Sequence, residues 1–359
     1  MRKGNLMSVR HDIKLLDATI RDGGLCNNFE FTDEFVRELY KTNIKCGVDY
    51  MEFGYKASKN LFNEEDHGKW KFCNEEDLRA IVGDNVSDMK IAVMADVGRC
   101  DYKTDFIPKK DSVIDMIRVA CYIHQIPAAV EMINYFNELG YETTCNIMAI
   151  SQASFNQIDD ALEMLGESKV DVIYLVDSYG SLFPENAAEL AKKYLEYGEK
   201  YGKKIGFHGH NNQNLAFANT IETLSYGVSY VDATALAMGR GAGNCAMELM
   251  LGFLKNPKYS IYSLLRFIEA NAKLEVDAEL LDEIKEMAQK EKDIAAIKES
   301  LEKKKKDMKS PMRKVHYCIC DFDHLEAVDP GAKGYDEKLN NGIPKILELV
   351  DSYHCSTEQ

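Results

Sequence analysis

The chain has 359 residues, 45% of them hydrophobic, with 44 Lys plus Arg against 59 Asp plus Glu and a formal net charge of −15. That is enough apolar material for one large domain with an appendage or for two domains, and the acidic balance excludes broad binding to nucleic acid, which needs basic patches. No apolar run is long enough to cross a membrane, Met1–Lys14 has no apolar signal core, and the ten cysteines are scattered rather than gathered into a disulfide framework, so a cytoplasmic protein with reduced thiols is expected.

Strand-like and helix-like segments alternate through the first 255 or so residues. Leu15 to Ala18 reads as a first strand. Thr32-Asp33-Glu34 caps a helix running to about Cys46, with Phe35, Val36, Leu39 and Tyr40 on one face. Tyr50 to Phe53 is a second strand, Glu75 to Ile81 a helix, and Ile91 to Met94 a third strand. Ile114 to Cys121 is the fourth, followed by a helix from about Pro127 to Leu139. Thr143 to Ile150 is the fifth, with a helix from about Ser154 to Leu165; Val172 to Val176 is the sixth, and Pro184 opens the next helix in its favoured first turn. Ile205 to Phe207 is the seventh, with a helix from about Asn214 to Tyr226, and Tyr230 to Thr234 is the eighth, closed by Asn244 to Leu254. Eight such units in about 250 residues predict an α/β fold, a (β/α)8 TIM barrel, in preference to an open doubly wound sheet.

The expected organisation is a catalytic barrel over 10–257, a mostly helical extension over 258–308 and a tail of unassigned fold over 309–359. Ile261 to about Lys273 and Ala278 to about Lys306 read as helices. The apolar stripe of the second (Leu280, Leu281, Ile284, Met287, Ile294, Ile297, Leu301) suits packing on the barrel or in a homodimer. Lys303–Lys306 reads as a solvated helix end, and a short helix is expected near Ile343 to Asp351. His316, Cys318, Cys320, Asp321, Asp323 and His324 fit no standard zinc spacing, so a chance cluster is preferred to a metal site there.

In a barrel the loops after the strands carry the chemistry. Arg21-Asp22 follows the first strand and His208-Gly209-His210 ends the seventh. Residues two apart on a strand share a face, so both imidazoles project together, and two His with one Asp suffice for a divalent metal with open positions. Glu52, Tyr55, Asp177 and Asn244 also lie at or after strand ends. Glu52 either orients Arg21 or a metal-bound water, or simply ends its strand; Asp177 carries the same two readings, as a substrate-binding group or a strand end. Gly239 to Gly243 reads as a tight loop that places Asn244, in preference to a phosphate cradle. Trp70, after the second strand, reads as a substrate lid or a hydrophobic plug.

Leu16-Asp17-Ala18-Thr19-Ile20-Arg21-Asp22-Gly23-Gly24, Phe207-His208-Gly209-His210-Asn211-Asn212 and Gly239-Arg240-Gly241-Ala242-Gly243-Asn244 resemble, in order, three signatures of the DRE-TIM metallolyase (HMGL-like) superfamily. Within it, residues 13 to 255 look most like the catalytic domain of the 4-hydroxy-2-oxovalerate aldolases. The resemblance implies that Asp22, His208 and His210 bind the metal, with Asn244 as a further oxygen ligand. Mn²⁺ or Mg²⁺ is the first expectation, with Co²⁺ and Zn²⁺ as alternatives. It implies a small-molecule 2-oxo acid substrate, chelated through its carboxylate and keto oxygens, and carbon–carbon cleavage through a pyruvate-type enolate. Arg21 would bind substrate and neutralise the enolate oxygen.

At one position the chain departs from the aldolases, which place a His base three residues after the Asp; here that residue is Leu25, which cannot move a proton. His124, Tyr55 and Tyr179 are the candidate replacements by strand-end placement. The lyase branch uses a Cys before the closing Asn, absent from Ala235-Leu236-Ala237-Met238, and the condensing synthases follow Arg-Asp-Gly with Glu-Gln, where Gly24-Leu25 stands. A Claisen-type enzyme joining an acyl-CoA to a 2-oxo acid, and a metal-binding barrel without catalysis, are the alternatives. Related aldolases pass an aldehyde to a partner dehydrogenase through a C-terminal region that the resemblance does not reach, so that partner is not carried over.

Overall fold

The computed structural model describes Leu6 and residues 8–271. The expected helices at 278–306 and 343–351, the 303–306 charge run and the 316–324 cluster lie outside the described residues, as does the 309–359 tail. Eight parallel strands close into one barrel in sequence order: β1 (Lys14–Asp17), β2 (Tyr50–Tyr55), β3 (Lys90–Asp96), β4 (Met116–Tyr122), β5 (Glu142–Met148), β6 (Val172–Asp177), β7 (Lys204–Gly209) and β8 (Tyr230–Ala233), which pairs back onto β1. The helices are α1 (Thr19–Gly23), α2 (Asp33–Cys46), α3 (Glu75–Val82), α4 (Ile126–Glu138), α5 (Phe155–Glu167), α6 (Pro184–Tyr201), α7 (Ala216–Tyr226), α8 (Met247–Phe253) and α9 (Tyr262–Asn271). One compact unit covers Met1–Phe267 and a second begins at Ile268. No helix among the described residues is long and apolar enough to cross a membrane, and the seven described cysteines are free.

Local signals account for several helix starts. Thr32 Oγ1 accepts a hydrogen bond from the Phe35 amide at 3.2 Å and starts α2. Ser154 and Gln157 form a reciprocal capping box at α5, and Pro184 opens α6. The series closes later than expected, with α8 starting at Met247, because Asn244 and Ala246 are drawn into bridges with His210 and Thr234.

The strands alternate their faces, and the barrel interior shows it. Leu16, Ala18, Tyr50, Ala92 and Met116 form one buried cluster, and Val172, Tyr174 and Val176 another. Continuing those inward series toward the strand C-termini gives Glu52, Met94, Asp96, Arg118 and Val176: the apolar floor gives way to charge at the mouth.

One irregularity shapes that mouth. Glu52 pairs with Ala92 but Tyr55 pairs with Met94, so β2 carries one residue more than β3 over this stretch. Such a bulge reverses the facing of the residues beyond it, turning Tyr55 inward beside Met94 instead of outward. Gly54 makes the bulge at φ +152°, and a Cβ there would stand 1.8 Å from the Trp70 carbonyl oxygen. Trp70 itself is fully buried, packs on Phe53 and donates through Nε1 to the Phe31 carbonyl at 3.2 Å; it is the plug, not a lid. Gly54→Ala is expected to cost about 1–3 kcal/mol, read as a lower urea midpoint with an unchanged m-value.

Candidate metal centre

After β1 the chain makes a single helical turn, α1, that the strand and helix patterning does not announce. Its start is tied down by side chains. Asp17 accepts from the Thr19 amide at 3.2 Å and from the Thr19 hydroxyl, and Asn43 Nδ2 donates to its other oxygen at 2.7 Å. Thr19 Oγ1 in turn accepts from the Ala235 amide at 2.8 Å, stitching α1 to the loop after β8. Arg21 and Asp22 therefore sit on a rigid turn over the barrel mouth, 5% and 1% exposed.

Asp22, His208 and His210 come together there, each buried, with one donor atom apiece all within 4.8 Å of one another. Asp22 Oδ2 lies 3.9 Å from His208 Nε2 and 4.0 Å from His210 Nε2. These gaps are too wide for hydrogen bonds and lie within the roughly 4.2 Å that two donors can span when each sits about 2.1 Å from one ion. His208 Nε2 and Asn244 Oδ1 are buried with no hydrogen-bond partner, and an orphaned buried acceptor is costly unless something else fills it. Asn244 Nδ2 donates to Asp22 Oδ2, the oxygen that faces the imidazoles, and, at 3.0 Å, to the Met238 carbonyl. A Cβ at Gly239 would stand 2.2 Å from Asn244 Nδ2 and 2.9 Å from Asp22 Oδ2, so the glycine loop is the tight device that seats Asn244. The residues fit a divalent cation with oxygen and imidazole ligands.

Behind the cluster runs a buried ion chain. Arg21 donates to Asp22 Oδ1 and to Glu52 Oε2, both at 2.8 Å. Arg118 donates to the same Glu52 oxygen at 2.7 Å and to Asp232 Oδ2 at 2.5 Å, and Asp232 Oδ2 meets His208 Nδ1 at 2.9 Å. With Asp232 on Nδ1, the His208 lone pair is left on Nε2, facing Asp22. The chain thus leads from Asp22 round to His208 and is open only where the ligand atoms face one another. Three carboxylates against two guanidiniums leave one negative charge unmatched, which favours a cation in the opening.

Burial pushes the Asp22 carboxyl up, but Arg21 and the two imidazoles outweigh it and hold it at about 2. Burial draws His210 down to about 4 against the pull of Asp22. Asp232 is opposed by burial and lowered by Arg118. At neutral pH the cluster is a carboxylate with an uncharged His210, the state that binds metals.

The remaining predicted residues divide. Glu52, fully buried, holds Arg21. Tyr55 feels the charges of Asp96, Arg21, Asp22 and Glu52, and burial raises its pKa. Asp177 is buried with both carboxylate oxygens accepting backbone amides, from Ser181 and Leu182 at 3.1 Å each. Tyr179 is 51% exposed, and its carbonyl accepts from Asn212 Nδ2 at 2.8 Å. His124 is exposed and stacks on Tyr122, ring centroids 5.9 Å apart. The structure does not bring His124 or the Tyr179 side chain into contact with the cluster. Sequence reasoning missed Arg118 and gave Asp232 no role. The signal was present: a charge in the middle of Met116-Ile117-Arg118-Val119-Ala120, in phase with the inward Met116.

The sequence profile of the HMGL-like family matches residues 12–302. The chain is similar to a 4-hydroxy-2-oxovalerate aldolase of Bacillus cereus, 27% identical over 251 residues that cover 69% of this chain and 71% of the relative. It is similar to an oxaloacetate decarboxylase of Mycobacterium tuberculosis, 26% identical over 256 residues, 70% of this chain and 72% of the relative. Among solved structures, the N-terminal domain of a proposed aldolase from Bacteroides vulgatus superposes with a TM-score of 0.59 at 28% identity, covering 71% of this chain and 84% of that one.

Proposed function

Because the chain belongs to the HMGL-like family, whose relatives here include an aldolase and a decarboxylase of 2-oxo acids, we propose that it is a divalent-metal-dependent carbon–carbon lyase that cleaves a 4-hydroxy-2-oxo acid through a pyruvate-type enolate. The observation that carries this reading is the buried Asp22–His208–His210 cluster, with its unpartnered His208 Nε2 and Asn244 Oδ1, set beside a buried arginine.

Asp22, His208, His210 and Asn244 would hold a divalent cation, which when bound would supply Lewis acidity at the 2-oxo group; Mn²⁺ or Mg²⁺ suits the donor set. Arg21 faces the same opening, held by Glu52, and places its guanidinium where the enolate oxygen gains charge. Such a donor contributes on the order of 3 kcal/mol. Tyr55, kept protonated by its raised pKa, donates a hydrogen bond to the substrate. Asp177 shapes the loop after β6 through its two amide contacts.

A second reading has its own support. Leu25 is 37% exposed and has no proton to give or take, and loss of CO₂ from a 2-oxo acid with a carboxylate at C4 needs no base, because the leaving group carries no proton. It yields the same enolate, and one relative is an oxaloacetate decarboxylase. The test is pyruvate release from a panel of 4-hydroxy-2-oxo acids and from oxaloacetate, with Mn²⁺ or Mg²⁺ and then with chelator. Metal-dependent release from the hydroxy acids is expected. Release from oxaloacetate alone would replace the aldolase by a decarboxylase. Turnover that waits on an acyl-CoA would point to the condensing class, and metal binding without any turnover to a barrel that only binds.

A further inference from the structure

Cleavage of a 4-hydroxy-2-oxo acid needs a group to take the C4 hydroxyl proton, and Leu25 cannot. Resting on the aldolase reading above, we propose that Asp96 is this base, acting from the end of β3 beside Tyr55.

Three observations place it. Asp96 is the last residue of β3, four along from Ala92, which lies in the interior cluster, so alternation points its side chain into the barrel at the mouth. Its Oδ1 is buried with no hydrogen-bond partner among the described residues. Its charge couples to those of Lys71, Arg99, Arg21 and Glu52, and it is the charge that Tyr55 feels most strongly.

The alternative role, as counter-ion to Lys71, is weaker. The Lys71 ammonium sits over the rings of Phe62, Tyr55 and Phe29, 4.3, 4.6 and 5.0 Å from their centroids, and those faces compensate its charge. On the Asp96 side of the mouth, Cys100 is pushed up to about 12 by burial and then by Asp96, so it stays a thiol and does not compete. Burial raises the Asp96 carboxyl to about 6 against the pull of Lys71, Arg99 and Arg21, close to where a base for work near neutral pH is most effective.

In the step, the C4 hydroxyl proton moves to Asp96, the C3–C4 bond breaks with its electron pair passing into the enolate, and C4 leaves as an aldehyde carbonyl. The proton then returns from Asp96 to C3 of the enolate, giving pyruvate, so the carboxylate is regenerated and nothing else is consumed.

The test compares two reactions of the full chain loaded with Mn²⁺. In Asp96→Asn, kcat for hydroxy-acid cleavage is expected to fall by roughly 10²–10⁴-fold, the usual weight of a general base, with Mn²⁺ affinity kept. Oxaloacetate decarboxylation, which needs no base, serves as the control reaction and should persist. In the native chain kcat/KM for cleavage should rise with pH through about 6, a limb that the Asn variant lacks and Asp96→Glu restores in shifted form. Cleavage by Asp96→Asn at near-native rate with the limb intact would overturn the assignment. So would equal loss of both reactions with Mn²⁺ still bound, the mark of a structural role. A native chain that decarboxylates but does not cleave removes the step Asp96 is assigned to, and one that does neither removes the aldolase reading with it.

Discussion

Asp22→Asn should abolish metal-dependent turnover while leaving the barrel folded. The substitution keeps the shape and an oxygen but removes the charge on which His208 Nε2 and His210 Nε2 converge at 3.9 and 4.0 Å. An amide is a poor ligand beside two imidazoles, so Mn²⁺ affinity measured by titration calorimetry should fall by at least two orders of magnitude. Turnover should fall by about 10³-fold or more, since metal polarisation supplies several kcal/mol of stabilisation to the developing charge. The fold should tolerate the change, because Arg21 keeps Glu52 and the cluster has one buried charge fewer. Native Mn²⁺ affinity in Asp22→Asn would show that the cluster is not the metal site.

The legibility of each residue in the chain depends on what sets its place. Arg21-Asp22, His208 and His210, and Asn244 come after short apolar strands, and the period of two alone sets both imidazoles on one face; the structure brings all of these together. Strand order was readable because parallel strands buried on both faces are continuous apolar runs. Residues whose placement depends on register were not. Tyr55 faces inward only because of the bulge at Gly54, which no local pattern announces. Asp96 lies past the apolar run of β3, which stops at Ala95, and so beyond the Ile91–Met94 stretch that reads as strand. Arg118 sat inside a strand that otherwise looked like core, and its partners come from β2 and β8, 66 and 114 residues away. The stand-ins for the missing base were chosen by position after a strand. That criterion does not distinguish Tyr55, turned inward by the bulge, from His124, which is exposed and stacks on Tyr122.

Arg118 is where fold and site meet, and its replacement tests both. Fully buried, it spans Glu52 and Asp232 with its two terminal nitrogens and lies against the Tyr174 ring, 4.6 Å from its centroid. A planar fork can hold two carboxylates from different strands at once, and an ammonium on a flexible stem cannot. Arg118→Met keeps much of the volume but strands Asp232 and weakens the hold on Glu52 in the barrel interior. Breaking a buried pair by removing one partner costs about 3–5 kcal/mol, so the melting temperature should fall by roughly 10 °C or more for a unit of this size. Asp232 would also lose the anchor that presents it to His208 Nδ1, and loss of such support to a ligand weakens metal binding by roughly 10–100-fold. Arg118→Lys should recover part of the stability and less of the metal affinity, because one point charge satisfies either Glu52 or Asp232. A Met variant that melts within a degree or two of the native chain and binds Mn²⁺ as tightly would mean that Glu52 and Asp232 are adequately neutralised by Arg21 and His208 alone.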